Sequence, residues 1–435
     1  MGNDMREIFD VIIVGAGPAG ASAAYRLAQQ RVKVLVIERG MAPGAKNMMG
    51  GRIYTHSLEQ LIPDFRERAP LERQVVKERI SIASGKEMTT IEYTGSDIPQ
   101  DEESYVVLRA TFDKWLAEEA EQQGALIISN VQVTELITEG EGKRKRVTGV
   151  RCDADEVYAK MVIIAEGANT ILLEQAGLME STDPRSMAVG VKEVYKLKKE
   201  DIDNRLMLTG NQGMAWLTLG DMTDGLLGGG FIYTNKDSVS VGMVVGLENI
   251  GSAKHSIDDM LGAFTSHPSI APLLKNGQLK EHSAHLVPEG GYESMPKLGG
   301  LGYLIIGDAA RMCMNLGYTI RGMDLAIQSG ICAAEAINIG LRDANMDKVP
   351  QMYEKQVKNC WLGKDLKRYR KMPKFLATHP RVFDTYPEFV NSMMRDVFTV
   401  NGNGAESLMK KLWRRVNTVG VFTLIRDAWK GVRSL

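Results

Sequence analysis

Residues 9–38, FDVIIVGAGPAGASAAYRLAQQRVKVLVIE, decide the fold. Phe9 to Val14 is a short, largely apolar run, as a strand buried on both faces requires. Gly15-Ala16-Gly17-Pro18-Ala19-Gly20 then turns the chain into a helix. Gly15 permits the tight turn, Gly17 lets backbone approach a diphosphate, and Gly20 lets helix and strand pack closely. Pro18 suits the first helical turn, where its missing N–H has no partner to lose. The helix N-terminus offers free N–H groups and a partial positive charge to the diphosphate. After a second apolar strand, Val32 to Ile37, Glu38 stands 18 residues beyond Gly20, where a carboxylate can grip ribose hydroxyls. A lone GxGxxG is weak evidence. Strand, motif, helix, second strand and acid in register predict a βαβ unit that holds a dinucleotide. Glu38 would repel a 2′-phosphate, which disfavours NADP and leaves FAD and NAD.

Composition bounds the remainder. A chain of 435 residues can bury a large core and is expected to form two or three lobes. Hydrophobic content of 44%, charged content of 25% and a net charge of −1 are ordinary for a globular protein and predict no nucleic-acid partner. MGNDMREIFD leads into the first strand without a secretory pattern. The longest uncharged runs, such as Val11–Tyr25 and Leu206–Gly220, reach 15 residues and are too short for a bilayer span. The expectation is a cytoplasmic protein, soluble or lying on a membrane surface. Cys152, Cys313, Cys332 and Cys360 are far apart in sequence and form no CxxC, so neither disulfides nor a cysteine-ligated cluster is expected. Reduced, buried thiols are expected instead.

Along the chain, residues 39–108 read as loops with short elements, including a helical turn at Ser57–Ile62 stopped by Pro63. Thr111–Gly124 reads as a helix with Phe112, Trp115, Leu116 and Ala120 on one face, and Ala125–Val133 as a strand. Arg146–Cys152 and Val157–Ala165 flank a turn in a small meander. From about 181 to 295 the strands Ser186–Tyr195, Met214–Leu219, Gly228–Thr234 and Ser238–Leu247 imply a mostly antiparallel sheet, with helices near Lys199–Arg205 and His255–Phe264. The chain then returns with Gly302–Ile306 and the helix Gly322–Leu341. These readings give an α/β protein. Residues 1–180 and 296–345 form a nucleotide-binding domain, 181–295 a substrate domain, and 346–435 a helical C-terminal region.

The return segment narrows the cofactor. Gly307-Asp308-Ala309-Ala310 follows a buried strand, which puts Asp308 just past its carboxyl end, where doubly wound sheets place ligands. A carboxylate there can accept hydrogen bonds from a polyol such as ribityl. Gly322-Met323-Asp324-Leu325-Ala326 opens a helix whose positive end stabilises negative charge on a reduced flavin ring. Nicotinamide needs neither feature, so the pair favours FAD.

GAGPAG with Glu38, the AEGANT element at 165–170, and GDAA followed by GMDLA together resemble the glutathione-reductase-type Rossmann FAD fold. More narrowly, they resemble its p-hydroxybenzoate-hydroxylase and geranylgeranyl-reductase branch. Arg109-Ala110-Thr111-Phe112-Asp113 looks like that branch's Arg-x-x-Phe-Asp stretch, in which the arginine lies near the cofactor. Gly44 to Tyr54 and Leu316 to Asp324 are similar to FixC-type electron-transfer-flavoprotein:quinone oxidoreductases. The likeness runs from about residue 6 to 400. It implies FAD contacts at Arg39, Gly50, Gly51, Arg109, Val133, Glu166, Gly167, Gly307, Asp308, Arg321, Gly322 and Met323, beside those of the opening unit. It also implies three kinds of partner: the alpha and beta subunits of an electron-transfer flavoprotein, a membrane quinone, and a ferredoxin-like iron–sulfur subunit as in FixABCX-type assemblies. Single-chain mitochondrial relatives carry a cluster-binding domain whose cysteines are not found here. A geranylgeranyl-reductase-type enzyme that saturates isoprenoid double bonds is the alternative.

No Ser-His-Asp, zinc or paired-carboxylate arrangement is evident, as suits a flavin that relays electrons. His282 and His285 fall on opposite faces of an expected strand, so no metal site is expected from them. His56 sits near the expected flavin loop with no local partner. Lys46, Arg52 and Arg321 could favour the anionic reduced ring. Between Glu406 and Leu435 the net charge is +5, with Leu408, Leu412, Trp413, Ile425 and Trp429 interleaved near helical spacing. That pattern suits either an anionic lipid surface on the inner face of the cell membrane or packing on the body or a partner.

Overall fold

The computed structural model describes residues 8–45, 51–95, 97–402 and 404–435, apart from the side chain of Lys143. The chain opens with β1 (Ile8–Val14), α1 (Pro18–Gln29) and β2 (Val34–Ile37). It then leaves this layer through β3 (Arg52–Tyr54), α2 (His56–Leu61), α3 (Phe65–Arg68), β4 (Leu71–Ser84), β5 (Glu87–Thr94) and β6 (Ser104–Val107). Helix α4 (Arg109–Gln122) leads back to β7 (Leu126–Ile128), β8 (Glu135–Glu139), β9 (Arg146–Cys152), β10 (Asp155–Ile164) and α5 (Ile171–Gln175). A second excursion holds β11 (Met187–Lys196), α6 (Lys199–Leu206), β12 (Gln212–Gly220), β13 (Gly228–Thr234) and β14 (Ser238–Gly246). It continues through α7 (Ile257–Ser266), α8 (Ala271–Leu274) and β15 (Gln278–Pro288). The return is β16 (Gly299–Gly300), β17 (Tyr303–Ile305), β18 (Met314–Asn315), β19 (Ile320–Arg321) and α9 (Met323–Arg342). Then come α10 (Val349–Asn359), α11 (Trp361–Arg368), α12 (Met372–Thr378), α13 (Thr385–Phe398), α14 (Leu408–Val419) and α15 (Val421–Val432).

Among the described residues the first sheet runs β16-β17-β10-β1-β2-β7, with β9 and β8 continuing from β10. β17, β10, β1, β2 and β7 are mutually parallel. Their apolar runs are buried on both faces: Ile12, Ile13 and Val36 expose no surface, and each such side chain contributes about 1.5–3 kcal/mol. Helices α1 and α9 pack on this sheet in direct contact with each other. A Cβ on Gly330 would lie 2.4 Å from the Ala19 carbonyl oxygen, so the two backbones meet where only glycine fits.

The second sheet runs β15-β11-β14-β13-β12-β4-β6-β3, with β5 beside β4. Period-two alternation divides its strands. Ile232, Val241, Met243 and Val245 enter a core with Ile202 of α6 and Leu261 and Phe264 of α7. Phe231, Tyr233, Val244, His285 and Val287 face the opposite way, into a cleft.

The segment 39–108, expected as loops with short elements, instead supplies β3 to β6 to this second sheet. Charge hides β4 from a hydropathy reading. Within it, buried Arg73 pairs with Asp203 and donates to Asn235 O at 2.7 Å, while buried Lys77 Nζ donates to Leu206 O at 2.9 Å. The strand expected at Ala125–Val133 ends at Ile128. Beyond it, Asn130 N–H donates to Gly40 O at 2.7 Å and Val131 N–H to Glu38 O at 3.0 Å, which carries Val133 out of the sheet. No helix of the described residues is long and apolar enough to cross a membrane.

Candidate functional site

A cleft lies at the carboxyl ends of the parallel strands, between the two sheets. Gly15, Glu38, Arg39, Val133 and Glu166 line one half. Pro18, Ala19, Gly51, Arg109, Asp308, Gly322 and Met323 line the other. Gly17, Ala165, Gly167 and His285 border both halves, so the cleft is continuous.

The loop after β1 forms an anion cradle. Gly17 is the N-cap of α1, with no side chain capping the free N–H groups. A Cβ on Gly17 would meet no atom within 4 Å, and the same is true of Gly167, so both leave room beside backbone. Gly20 lies behind the cradle, where an added Cβ would sit 2.0 Å from the Gly15 carbonyl oxygen. The Glu38 carboxylate is aimed by N–H donors, Gly40 at 2.6 Å and Ala16 at 2.9 Å. Across the cleft, Asp308 makes no side-chain hydrogen bond to the described residues. Burial pushes its carboxyl above the usual range, with Arg109 and Arg311 opposing. Gly307 lies behind it, its N–H donating to Ser329 Oγ at 3.0 Å, and a Cβ there would come within 2.8 Å of Ala19 Cβ. Helix α9 starts at Gly322 without a side-chain cap, and Met323 follows at the cleft wall. An uncapped helix N-terminus, a carboxylate aimed by two N–H donors, a buried carboxyl without a side-chain hydrogen bond and a second uncapped helix N-terminus follow one another along the cleft. This donor and acceptor set fits FAD.

Arg109 is held by Asp113 in a bidentate pair, Nε–Oδ1 2.8 Å and Nη2–Oδ2 2.7 Å, with both groups buried. Glu166 caps α5 by accepting from the N–H groups of Leu172 and Leu173 at 2.9 and 3.2 Å. Arg321 is not brought to the cleft. It pairs with Asp324 at 2.6 Å and Asp365 at 3.1 Å and packs against the rings of Tyr54 and Trp361. Arg52 borders the cleft but is engaged by Glu78 and Ser104. Gly50 and Lys46 lie outside the described residues.

Folding supplies partners that local sequence hides. His56 Nε2 lies 3.6 Å from Asp324 Oδ2 and meets Trp361 edge-on at 4.5 Å; burial lowers its pKa, with Asp324 opposing. His285 borders both halves of the cleft, and burial, then Arg109 and Arg39, lower its pKa. His282, on the other face of β15, lies 3.4 Å from Glu193. Cys332 and Cys360, 28 residues apart, bring their sulfur atoms to 3.9 Å. Glu289, unremarked in sequence, is buried beside the cleft.

An apolar groove leads out of the ring half. Phe231, Val244, Glu289 and Ile320 border both cavities, and Leu217, Leu227, Leu376, Val382 and Phe383 continue the wall. The last three come from the C-terminal region. Nearby, α14 and α15 expose Trp413, Phe422, Ile425 and Trp429. Arg415 anchors α14 to Asp396 of α13 at 2.7 Å, and Asp427 anchors α15 to Arg381 at 2.7 Å.

Comparisons with known proteins agree with this site. Residues 9–224 match an FAD binding domain, 187–287 the model described as ETF-QO, ubiquinone-binding, and 372–435 the ETF-QO/FixC family C-terminal domain. The chain is 46% identical to Protein FixC of Escherichia coli K12 over 430 residues, covering 99% of each chain. It is 43% identical to the probable electron transfer flavoprotein-quinone oxidoreductase YdiS of the same strain, across 98% of this chain and 99% of that one. In fold it is similar to a geranylgeranyl bacteriochlorophyll reductase-like protein from Thermoplasma acidophilum, with a TM-score of 0.71 at 21% identity, over 98% of this chain and 100% of that one. It is also similar to the flavin-dependent brominase Bmp2, with a TM-score of 0.63 at 19% identity, over 90% and 92%. These last two likenesses show the fold. Full-length identity and a cleft built for FAD make the chain an FAD-dependent oxidoreductase that belongs to the FixC/electron-transfer-flavoprotein–quinone oxidoreductase family.

Proposed function

We propose that this chain accepts electrons from an electron-transfer flavoprotein of alpha and beta subunits and passes them to a membrane quinone. It would act in a FixABCX-type complex with a ferredoxin-like iron–sulfur subunit. The observation that carries the reading is the continuity of the flavin-half cleft with an apolar groove whose far wall is the C-terminal region. A quinone ring needs a flat apolar slot reaching the cofactor, and its tail needs an apolar exit. The match of 187–287 to a ubiquinone-binding model covers β11 to β14, which form much of the groove wall.

When bound, FAD supplies reversible uptake of two electrons. The residues that would hold it are the Gly15–Gly20 cradle for diphosphate, Glu38 for ribose, Asp308 for ribityl, and the α9 N-terminus for the ring. Free N–H groups at Gly322 and Met323 favour negative charge on that ring edge. Phe231, Tyr233 and Val287 keep water from its faces. The exposed tryptophans and basic residues of α14 and α15 would rest on anionic lipid beside the groove. In the test, reduced electron-transfer flavoprotein should bleach the bound FAD of the purified chain, and a short-chain ubiquinone analogue should restore its colour. Failure of the second half overturns the quinone assignment. Failure of the first overturns the electron source.

A further inference from the structure

Glu289 follows Pro288 at the end of β15 and borders both the ring half of the cleft and the apolar groove. It is 9% exposed. Its backbone N–H donates to Ser186 O at 2.7 Å, which fixes the main chain. Asn315 Nδ2 donates to its Oε2 at 2.9 Å. Gly317 N–H in turn donates to Asn315 Oδ1 at 2.8 Å, so the amide is held with its NH2 toward the carboxyl. Oε1 has no hydrogen-bond partner among the described residues. The carboxyl can therefore gain or lose a proton at Oε1 without disturbing the bond that positions it.

Among the described residues no cation balances it. The ionisable groups sharing the ring-half cavity with it are Arg52, Arg109, Tyr233, His285, Asp308 and Cys313. Arg52 is engaged by Glu78 and Arg109 by Asp113, and none of the six hydrogen-bonds Glu289. The groove walls from β4, β12 to β14 and the C-terminal region present no other ionisable side chain. An unpaired buried carboxylate is costly, and burial pushes this carboxyl up to about 7, with Asn315 opposing.

We propose that Glu289 is the proton donor to the quinone, placed where the groove meets the flavin half of the cleft. This rests on the quinone reading above. Reduction of a quinone to a hydroquinone consumes two electrons and two protons. An anionic reduced flavin releases two electrons and one proton, so one proton must come from the protein. The Glu289 O–H bond breaks as an O–H bond forms on the quinone oxygen, and the carboxylate recovers its proton from bulk water. A positioned acid near neutrality suits this task.

The test compares the full-length FAD-loaded parent with Glu289→Gln and Glu289→Asp. Each is reduced with light, then mixed with a short-chain ubiquinone analogue or with ferricenium, a one-electron acceptor that takes no proton. Expected is an at least 10-fold slower reoxidation of the Gln variant by the quinone and an unchanged rate with ferricenium. The parent's quinone rate should fall as pH rises through about 7, a limb the Gln variant lacks and the Asp variant keeps at a lower rate. Independently of turnover, infrared difference spectra between pH 6 and pH 8 should show in the parent the loss of a protonated carboxylic acid that the Gln variant lacks. A Gln variant as fast as the parent with quinone, or equally impaired with both acceptors, overturns the proposal. A parent that reduces ferricenium but no quinone overturns the quinone reading, and this proposal with it.

Discussion

At Gly17 the protein leaves space that it does not itself fill, since an added Cβ meets no atom within 4 Å. Gly17→Val is therefore expected to fold normally and lose bound FAD, because only the diphosphate would occupy that space. Unchanged far-ultraviolet dichroism with flavin absorbance below a tenth of the parent's is the expected result. Full yellow colour in the pure variant would contradict it. Glu289 makes a second residue-level prediction. Its pKa is raised from the ordinary 4.5 to about 7, so its contribution to stability is complete below pH 4.5 and is lost as pH rises through 7. Thermal melts of the FAD-free protein from pH 5 to 8 should show a fall in Tm for the parent that Glu289→Gln lacks. Cys360 offers a third. The hydrogen bond from Cys332, aided by the N–H groups of Leu362 and Gly363, lowers its thiol pKa, and it is the most exposed of the four cysteines. Mass spectrometry after brief iodoacetamide treatment of the folded protein should find Cys360 alkylated first. The cradle, Glu38 and Asp308 are legible in sequence because each is tied to a local strand end. His285 and Glu289 are not, since their roles arise only when a distant strand or loop closes beside them.

Between elements, the decisive contact is α1 against α9. Gly330 lets α9 touch the α1 backbone at Ala19, one residue from the end of the cradle. Gly330→Val would force that contact apart, where overpacking commonly costs about 1–3 kcal/mol. Unlike Gly17→Val, it should lower Tm and flavin content together, as scanning calorimetry and flavin absorbance would show; a stable, fully yellow variant would refute the argument. Element legibility followed water contact. β13 and β14 present continuous apolar or alternating runs, and the expected limits match the observed ones within a residue. β4 carries Glu72, Arg73, Lys77, Glu78 and Arg79, so its composition resembles a surface loop. Two of these charges, Arg73 and Lys77, bond residues more than a hundred positions away, Asp203 and the Leu206 carbonyl, which no local window contains.

For the whole molecule, the C-terminal helices are docked by few polar ties and leave their apolar side chains outward. Phe422 is 89% exposed and Trp429 62%. Exposed aromatic residues beside bases suit an anionic lipid surface. Truncation after Gly404 should abolish flotation with anionic liposomes while leaving FAD in place. Flotation equal to that of the full-length chain would remove these helices as the anchor. The second sheet carries another consequence, for synthesis rather than catalysis. Its β4 pairs in parallel with β12, so strands from 52–107 and 187–288 must meet across the whole first pass of the chain. A ribosome releases β3 to β6 long before β12, the partner of the other edge of β4, exists, leaving that strand edge open for the interval. Expressed alone, residues 181–295 would offer the complementary edge at β12. Such a fragment should be found in the pellet rather than the supernatant, and co-expression with residues 1–180 should bring part of it back into solution.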